Sequence, residues 1–228
     1  MRRRVGYLPG DLTLYGDMTG AQLIRFTANI RGNVDHSYAR SLVERFQATL
    51  DKPVRALSRG NKQKLGIVLA FMHRPDLLIL DEPTSGLDPL MQHEFNRLAQ
   101  EVKAQGQTVF VSSHFLSEVE ELCDRVGFIN AGCMVAVESV GALKADALHV
   151  VEVRFDQHVP SSALADIPGV RVLSIRGNDF RCTVQGSMDP LIKRIACFRV
   201  ERLITPEPSL DEIFLSYYQQ GEEQRIAA

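Results

Sequence analysis

Short apolar runs alternate along the chain with segments in which apolar residues have helical spacing, and this pattern predicts an α/β fold over residues 4–146. Strands are predicted at residues 4–8, 77–82 and 108–112, where hydrophobic residues follow one another with few polar breaks. An all-apolar run such as residues 77–80 is typical of a parallel strand that is covered on both faces. We therefore expect the second and third of these strands to be buried.

Between the strands, apolar residues recur every three or four positions and predict helices. Thr19 is a suitable N-cap for a helix that runs through Arg31, and the pair Gly32-Asn33 is expected to end it. Further helices are predicted at residues 37–50, 58–74, 89–105 and 117–123, and a hairpin is predicted at residues 126–137. We expect the acids of the 117–123 helix, Glu118, Glu120 and Glu121, to be solvated.

The composition changes near residue 147, and a different alternation follows. Strands are predicted at residues 149–155, 170–176, 180–185 and 200–205, and helices at 161–167, 189–198 and 209–219. The order strand, helix, strand, strand, helix, strand is typical of a small ferredoxin-like α+β fold. The sequence therefore predicts two domains, residues 1–146 and residues 147–228.

The overall composition is that of a globular protein and argues against several classes. Of the 228 residues, 45% are hydrophobic and 24% are charged, and a net charge of -2 does not favour nucleic acid as a partner. No apolar run approaches the about 20 residues that span a bilayer, and the one after the basic N-terminus is too short for a signal peptide. The four cysteines lack CxxC spacing, so we expect reduced thiols rather than a metal site or a disulfide.

Candidate chemistry lies where two of the predicted strands end. Asp81 and Glu82 stand at the carboxyl end of the 77–82 strand, where open α/β sheets place their ligands. His114 stands two residues beyond Ser112, at the end of the 108–112 strand. Paired acids often serve only as a helix cap or in salt bridges, and a lone histidine is usually structural. Both alternatives stay open on spacing alone.

The start of the 58–74 helix is a candidate phosphate site. A helix N-terminus gathers unpaired N–H groups and a partial positive charge, so it attracts anions. Ser58 supplies a hydroxyl group, and Gly60 permits close backbone approach. Many helices begin with serine, so an ordinary cap is the competing interpretation.

Taken together, these motifs resemble the ATP-binding subunit of an ABC transporter. Leu57-Ser58-Arg59-Gly60-Asn61 is similar to the family's signature, residues 77–82 to its Walker B strand, Pro83 to Pro89 to its D-loop, and His114 to its switch histidine. Arg59 and Asn61 depart from the common form LSGGQ. The ending Pro208 to Phe214 is similar to that of ABC-2 exporter ATPases, so the resemblance favours the exporter branch.

The resemblance implies ATP and Mg²⁺ as cofactors and a role for each motif. Glu82 is then the base that activates water, His114 contacts the γ-phosphate, and Asp81 holds Mg²⁺. The family usually has glutamine where this chain has Gly10, and the neighbouring Asp11 is a candidate substitute as a metal ligand. The ATP contacts implied for the signature and D-loop, partly to the nucleotide of a partner subunit, fall on Ser58, Arg59, Gly60, Asn61 and Asp88.

The resemblance also implies an organisation and partners. Residues 14–57 are similar to the helical subdomain that faces a membrane-embedded permease, although a plain helical hairpin is an alternative; residues 58–146 then form the core. The expected partners are an ABC-2 type permease and a second ABC ATPase subunit, alike or different, with no nucleic acid. The expected place is cytoplasmic, peripheral on the inner face of the plasma membrane.

One expected element of this family has no counterpart in the sequence. A P-loop NTPase cradles phosphates with G-x-x-x-x-G-K-[ST], and the chain contains no such motif. We therefore expect a P-loop NTPase-like ABC ATPase core without its N-terminal strands and Walker A loop, inactive in ATP hydrolysis when alone. The alternative is a non-hydrolytic regulatory chain that docks on a permease or supplies its signature to an intact ABC ATPase.

Overall fold

The computed structural model describes residues 4–32, 34–146 and 149–206. The chain forms two compact units, Met1–Leu122 and Cys123–Ala228. The predicted end of the first helix at Asn33 and the predicted last helix at 209–219 lie outside the described residues. This division into compact units does not test whether residues 147–228 fold as a separate domain. The predicted domain boundary after residue 146 therefore stays a prediction. None of the described helices combines the length and the apolarity that crossing a membrane requires.

The first unit consists of three strands and five helices among the described residues. The strands are β1 (Val5–Leu8), β2 (Leu77–Asp81) and β3 (Thr108–Ser112). The helices are α1 (Gly20–Arg31), α2 (His36–Arg45), α3 (Arg59–Phe71), α4 (Pro89–Ala104) and α5 (Leu116–Leu122), with a 3₁₀ turn at Val54–Ala56. The α/β class predicted from the sequence is confirmed.

β2 lies between β1 and β3 in a parallel sheet, with Leu8 opposite Leu80 and Asp81 opposite Ser112. One face of the sheet is buried, as Leu8, Leu78 and Leu80 show. On the opposite face Tyr7 is 57% and Phe110 is 64% exposed. The predictions that β2 is covered on both faces and that β3 is buried are therefore wrong, because the described helices cover only one face.

Local signals set where the helices begin and end. Thr19 caps α1 in a reciprocal capping box with Gln22, and Gly32 follows the helix at a φ of 63°, as predicted. The second helix ends at Arg45 rather than at residue 50. Gln47 adopts a left-handed φ of 50° there, and the N–H group of Ala48 donates to the carbonyl of Val43, which closes the helix end.

The second unit contains a hairpin, a short helix and a four-stranded antiparallel sheet. The hairpin strands are β4 (Arg125–Asn130) and β5 (Cys133–Ser139), and α6 (Val140–Asp146) follows them. The sheet strands are β6 (His149–Phe155), β7 (Val170–Arg176), β8 (Asp179–Val184) and β9 (Val200–Ile204), in the order β7-β8-β6-β9, with α7 (Asp189–Ile195) between β8 and β9. The predicted ferredoxin-like alternation is present in the strands.

The helix predicted at residues 161–167 is wrong in its length and type. Residues Ser161–Leu164 form only a 3₁₀ turn, and Ala165 is already extended. Asp166 and Gly169 then take positive φ values of 55° and 75°, which an α-helix does not accommodate. The second helix predicted for this unit, α7, buries Leu191 and Ile195 in a core that includes Val153, Phe180 and Cys182.

The first testable prediction concerns the core of the first unit. Phe95 of α4 is fully buried and packs edge to face against Phe71, with ring centroids 6.3 Å apart. Phe95→Ala should lower the free energy of unfolding by about 3–5 kcal/mol, because it removes apolar area and leaves a cavity. Leu90→Ala, on the same helix at a side chain 64% exposed, should change it by less than about 0.5 kcal/mol. Urea titrations followed by circular dichroism measure both, and equal losses would contradict this packing.

A second prediction concerns the thiol in the other core. Burial raises the pKa of Cys182 to about 11, whereas Cys133 and Cys197 are exposed. Only the thiolate is nucleophilic, so at about pH 8 iodoacetamide should label both exposed cysteines well before Cys182. Mass spectrometry of peptides gives the rates, and labelling in urea is the control in which Cys182 becomes reactive. Equal labelling rates in the folded protein would show that this core is open.

Candidate functional site

Three strand ends meet around the carboxylate of Asp81. The N–H group of Gly10, just after β1, donates to Asp81 Oδ2 over 3.1 Å, and the Ser112 hydroxyl at the end of β3 donates to Oδ1. A Cβ atom on Gly10 would lie 2.7 Å from Asp81 Oδ2, so a larger residue here would require the Asp81 carboxylate to shift. The sequence indicated no contribution from Gly10, and its backbone contact was missed.

Glu82 and His114 lie next to each other at the same edge of the sheet. Glu82 Oε2 is 2.8 Å from His114 Nδ1, and the histidine side chain is 64% exposed. Glu82 has a φ of 47°, which is costly for a residue other than glycine and is often found at functional sites. Buried Gln63 stabilises this turn, because its Nε2 donates to the carbonyl oxygens of Glu82, over 3.2 Å, and Pro83, over 2.8 Å.

Glu118 joins the loop after β2 to the loop after β3. Its carboxylate accepts from the Thr84 hydroxyl over 2.6 Å and from the Ser113 hydroxyl over 2.8 Å. Thr84 is almost fully buried. Glu121 likewise accepts from the side-chain amide of Asn96 over 2.7 Å. The prediction that the acids of this helix are merely solvated is therefore wrong for Glu118; Glu121 is exposed, as predicted, but also binds Asn96.

The N-terminus of α3 packs on the turn that follows β2. Ser58 caps α3, accepting from the backbone and side-chain N–H groups of Asn61 over 3.3 Å and 3.2 Å. A Cβ atom on Gly60 would lie 2.7 Å from the carbonyl oxygen of Gly86. Close packing against this turn therefore requires glycine at position 60.

Arg59 makes a direct side-chain bond to the same turn. Its Nη2 donates to the Ser85 hydroxyl over 2.8 Å. The aliphatic part of the side chain runs beside Gly86, which has a φ of 77°. Arg59, one of the two residues that depart from the common signature, thus holds the loop after β2 against α3.

Asp88 connects α3 and α4. Its Oδ1 accepts from the N–H group of Met91 over 3.0 Å and caps α4, and its Oδ2 lies 3.9 Å from the Nζ of Lys64. Lys64 is on α3 and its side chain is only 15% exposed. The sequence suggested the loop position of Asp88 but not this partner.

The donor set around Asp81 fits a hard cation with few protein ligands. The described residues contain no group of three or more histidine, cysteine, aspartate or glutamate side chains arranged to hold a metal. Asp81 and Ser112 offer oxygen atoms only, and Mg²⁺ suits such a site because it retains several water ligands. Asp11 is exposed, and no hydrogen bond or ion pair joins it to another described residue. Its role as a metal ligand therefore stays a prediction without support from contacts.

The parallel sheet has paired acids at one strand end and a histidine at the next, with a capped helix start beside them. This arrangement, at the edge where open α/β sheets place their ligands, fits a P-loop NTPase-like fold. Residues 1–85 match the model of the family described as ABC transporter. This match, together with the relatives described next, supports an ABC transporter ATP-binding subunit.

Individual relatives agree with this family. The ABC transporter ATP-binding protein YtrB of Bacillus subtilis (strain 168) is 31% identical over 160 residues, which is 70% of this chain and 54% of YtrB. The lantibiotic transport ATP-binding protein SrtF of Streptococcus pyogenes is 36% identical over 134 residues, 58% of each chain. The chain spans about half the length of these curated relatives.

A solved structure also matches. A protein described as the ATP-binding subunit of an ABC transporter superposes with a TM-score of 0.59 at 32% identity, covering 63% of this chain and 62% of that chain. The match supports the same fold class as the sequence relatives.

The bond between Arg59 and Ser85 gives a third prediction. Arg59→Ala should accelerate amide exchange of residues 84–88 by about two- to tenfold, because it removes a hydrogen bond from this turn. Hydrogen–deuterium exchange with mass spectrometry, carried out on the whole chain, measures the exchange rates of these amides. Arg55→Ala is the matched control, since Arg55 is exposed and pairs with Asp17 instead. Unchanged exchange, or equal acceleration in the control, would contradict a role for Arg59 in holding the loop.

Proposed function

We propose that the chain is the ATP-hydrolysing subunit of an ABC-2 type transporter, an exporter, docked on a membrane permease at the inner face of the plasma membrane. The single observation that carries the proposal is the convergence of Asp81, Glu82 and His114 at one edge of the parallel sheet. The name of SrtF, a lantibiotic transport protein, supports a transport role.

In this proposal the strand-end residues divide the chemistry. Glu82 accepts the proton of the attacking water, and His114 orients the Glu82 carboxylate through the contact of 2.8 Å. Asp81, with Ser112 beside it, holds Mg²⁺. Bound Mg²⁺ and ATP supply the phosphoryl group and the positive charge that stabilises its transfer.

The signature and D-loop residues act at a second nucleotide in this proposal. Ser58, Arg59, Gly60 and Asn61 present the start of α3 to ATP held by a second ABC ATPase subunit, and Asp88 couples the two subunits. The packing of Gly60 against Gly86 supports this, because it ties the helix start to the D-loop as one surface.

Exposed apolar side chains support docking through the helical subdomain at residues 14–57. Tyr15 is 62% and Ile30 is 62% exposed, and Phe26 packs edge to face with Tyr15 at 5.5 Å between ring centroids. Exposed apolar patches often mark protein interaction sites. A membrane permease is the partner that we propose for this surface.

One sequence observation favours a second candidate function. The 228 residues contain no G-x-x-x-x-G-K-[ST] loop to hold the phosphates. The chain would then be a non-hydrolytic binding or regulatory subunit that offers its signature to an ATPase with such a loop. Purification from source cells in mild detergent, followed by identification of the co-purifying chains, distinguishes the two candidate functions. A required P-loop-bearing partner, together with no ATP binding by this chain alone, would favour the non-hydrolytic function.

The fourth prediction tests the proposed base in that purified assembly. Glu82→Gln should lower the ATPase turnover by about 10²- to 10⁴-fold, because the amide cannot accept the proton. ATP binding, measured with a fluorescent ATP analogue, should remain within about fivefold, since the loss of the Glu82–His114 contact costs about 0.5 to 1 kcal/mol.

The matched control is Glu138→Gln, which makes the same change at an exposed position on β5. This variant should hydrolyse ATP at the wild-type rate. Wild-type turnover in Glu82→Gln would exclude Glu82 as the base, and equal loss in both variants would point to general damage instead.

A further inference from the structure

The four-stranded sheet of the second unit has one covered and one open face. Val151, Val153 and Phe180 point into the core beneath α7. Because side chains alternate along a strand, the residues between them point to the other face. Those residues are mainly charged, and they are unusually rich in arginine.

Strand register places these charges in two transverse rows. Arg176 lies opposite Asp179, Asp179 opposite Arg154, and Arg154 opposite Arg202, so one row crosses all four strands. In the neighbouring row, the same register aligns the following side chains: Ser174, Arg181, Glu152 and Ile204. These two rows contain four arginines and two acids, which leaves positive charge in excess.

Internal pairing uses both acids. Arg154 donates to both carboxylate oxygens of Asp179, over 2.8 Å and 3.0 Å, and this bond lowers the pKa of Asp179. Arg181 pairs with Glu152 at 3.2 Å. Among the described residues, Arg176 and Arg202 have no ion-pair partner, and both are exposed.

Arg202 faces another arginine across the sheet. It lies directly opposite Arg154 on the neighbouring strand, and like charges directly opposite each other destabilise a sheet. An anion placed between them replaces this repulsion by two charge-assisted hydrogen bonds.

The same face contains a depression of about 420 Å³. All residues that line it belong to the four strands, and they include all four of these arginines. The volume falls in the range of small-molecule sites. The one aromatic residue in the lining is Phe180, whose side chain is buried, so the face offers no ring on which a nucleic-acid base could stack.

We propose that this arginine face (Arg154, Arg176, Arg181 and Arg202) is a binding site for a small multivalent phosphate-bearing anion. Guanidinium groups match phosphate oxygens through paired N–H donors. Arg176 and Arg202, on the two edge strands, contact the anion with side chains that have no ion-pair partner among the described residues. The ion pairs with Asp179 and Glu152 hold Arg154 and Arg181 on the two central strands between these edges. The phosphate groups come either from a free metabolite or from lipid headgroups.

The fifth prediction uses the whole chain and pyrophosphate as the probe. Isothermal titration without Mg²⁺ should show binding, and the double variant Arg176→Gln with Arg202→Gln should weaken it by about tenfold or more. The matched control is Lys193→Gln with Arg199→Gln, which removes the same charge at exposed side chains outside the depression. The control should retain the wild-type affinity.

Two further measurements localise the site and identify the phosphate source. Amide NMR shifts on addition of pyrophosphate should map to β6, β7, β8 and β9, which separates this site from the strand ends around Asp81. Sedimentation with phosphatidylglycerol vesicles, compared with phosphatidylcholine vesicles, tests lipid headgroups; vesicle binding that the arginine double variant loses supports the proposal with lipid as the source. No binding of either probe, or equal binding by wild type and the arginine double variant, would overturn it.

Discussion

The parallel pairing of β2 with β1 on one side and β3 on the other is the constraint on which the candidate site depends. Parallel strands end at the same edge, so the loop after β1 and the end of β3 both reach Asp81. Gly10 can approach the carboxylate because it lacks a Cβ atom, and Ser112 donates from the other side. A shift of either pairing by one residue would separate these groups and turn the buried leucines outward.

Helices secure the loop that follows β2 from several directions. Gln63 of α3 binds the carbonyls of Glu82 and Pro83, and Glu118 of α5 binds Thr84. Arg59 then binds Ser85. Buried polar groups fix a local structure only when their hydrogen bonds are satisfied. Here the loop at residues 82–88 supplies the hydrogen-bond partners. The proposed catalytic carboxylate therefore sits in a turn whose shape is set by its neighbours.

Local signals accounted for most of the fold but not for burial. The Thr19 cap of α1, the start of α4 at Pro89 and the four strands of the second sheet were all predicted from the sequence pattern. The exposure of Phe110 was not, because an apolar strand does not reveal how many layers cover it. The bond from Glu118 to Thr84 was also hidden, since the two residues are 34 positions apart in sequence.

The amino-acid pattern alone was sufficient for the α/β class, the order of the elements and the family motifs, because these depend on periodicity and on short runs of residues. Tertiary structure alone decided which groups meet: Gly10 with Asp81, Arg59 with Ser85, and Arg154 with Arg202 across strands of the second sheet. Strand register and helix packing bring such distant residues together, and neither is encoded in any single local segment. That is why the charges of the arginine face became visible as one surface only in the folded sheet.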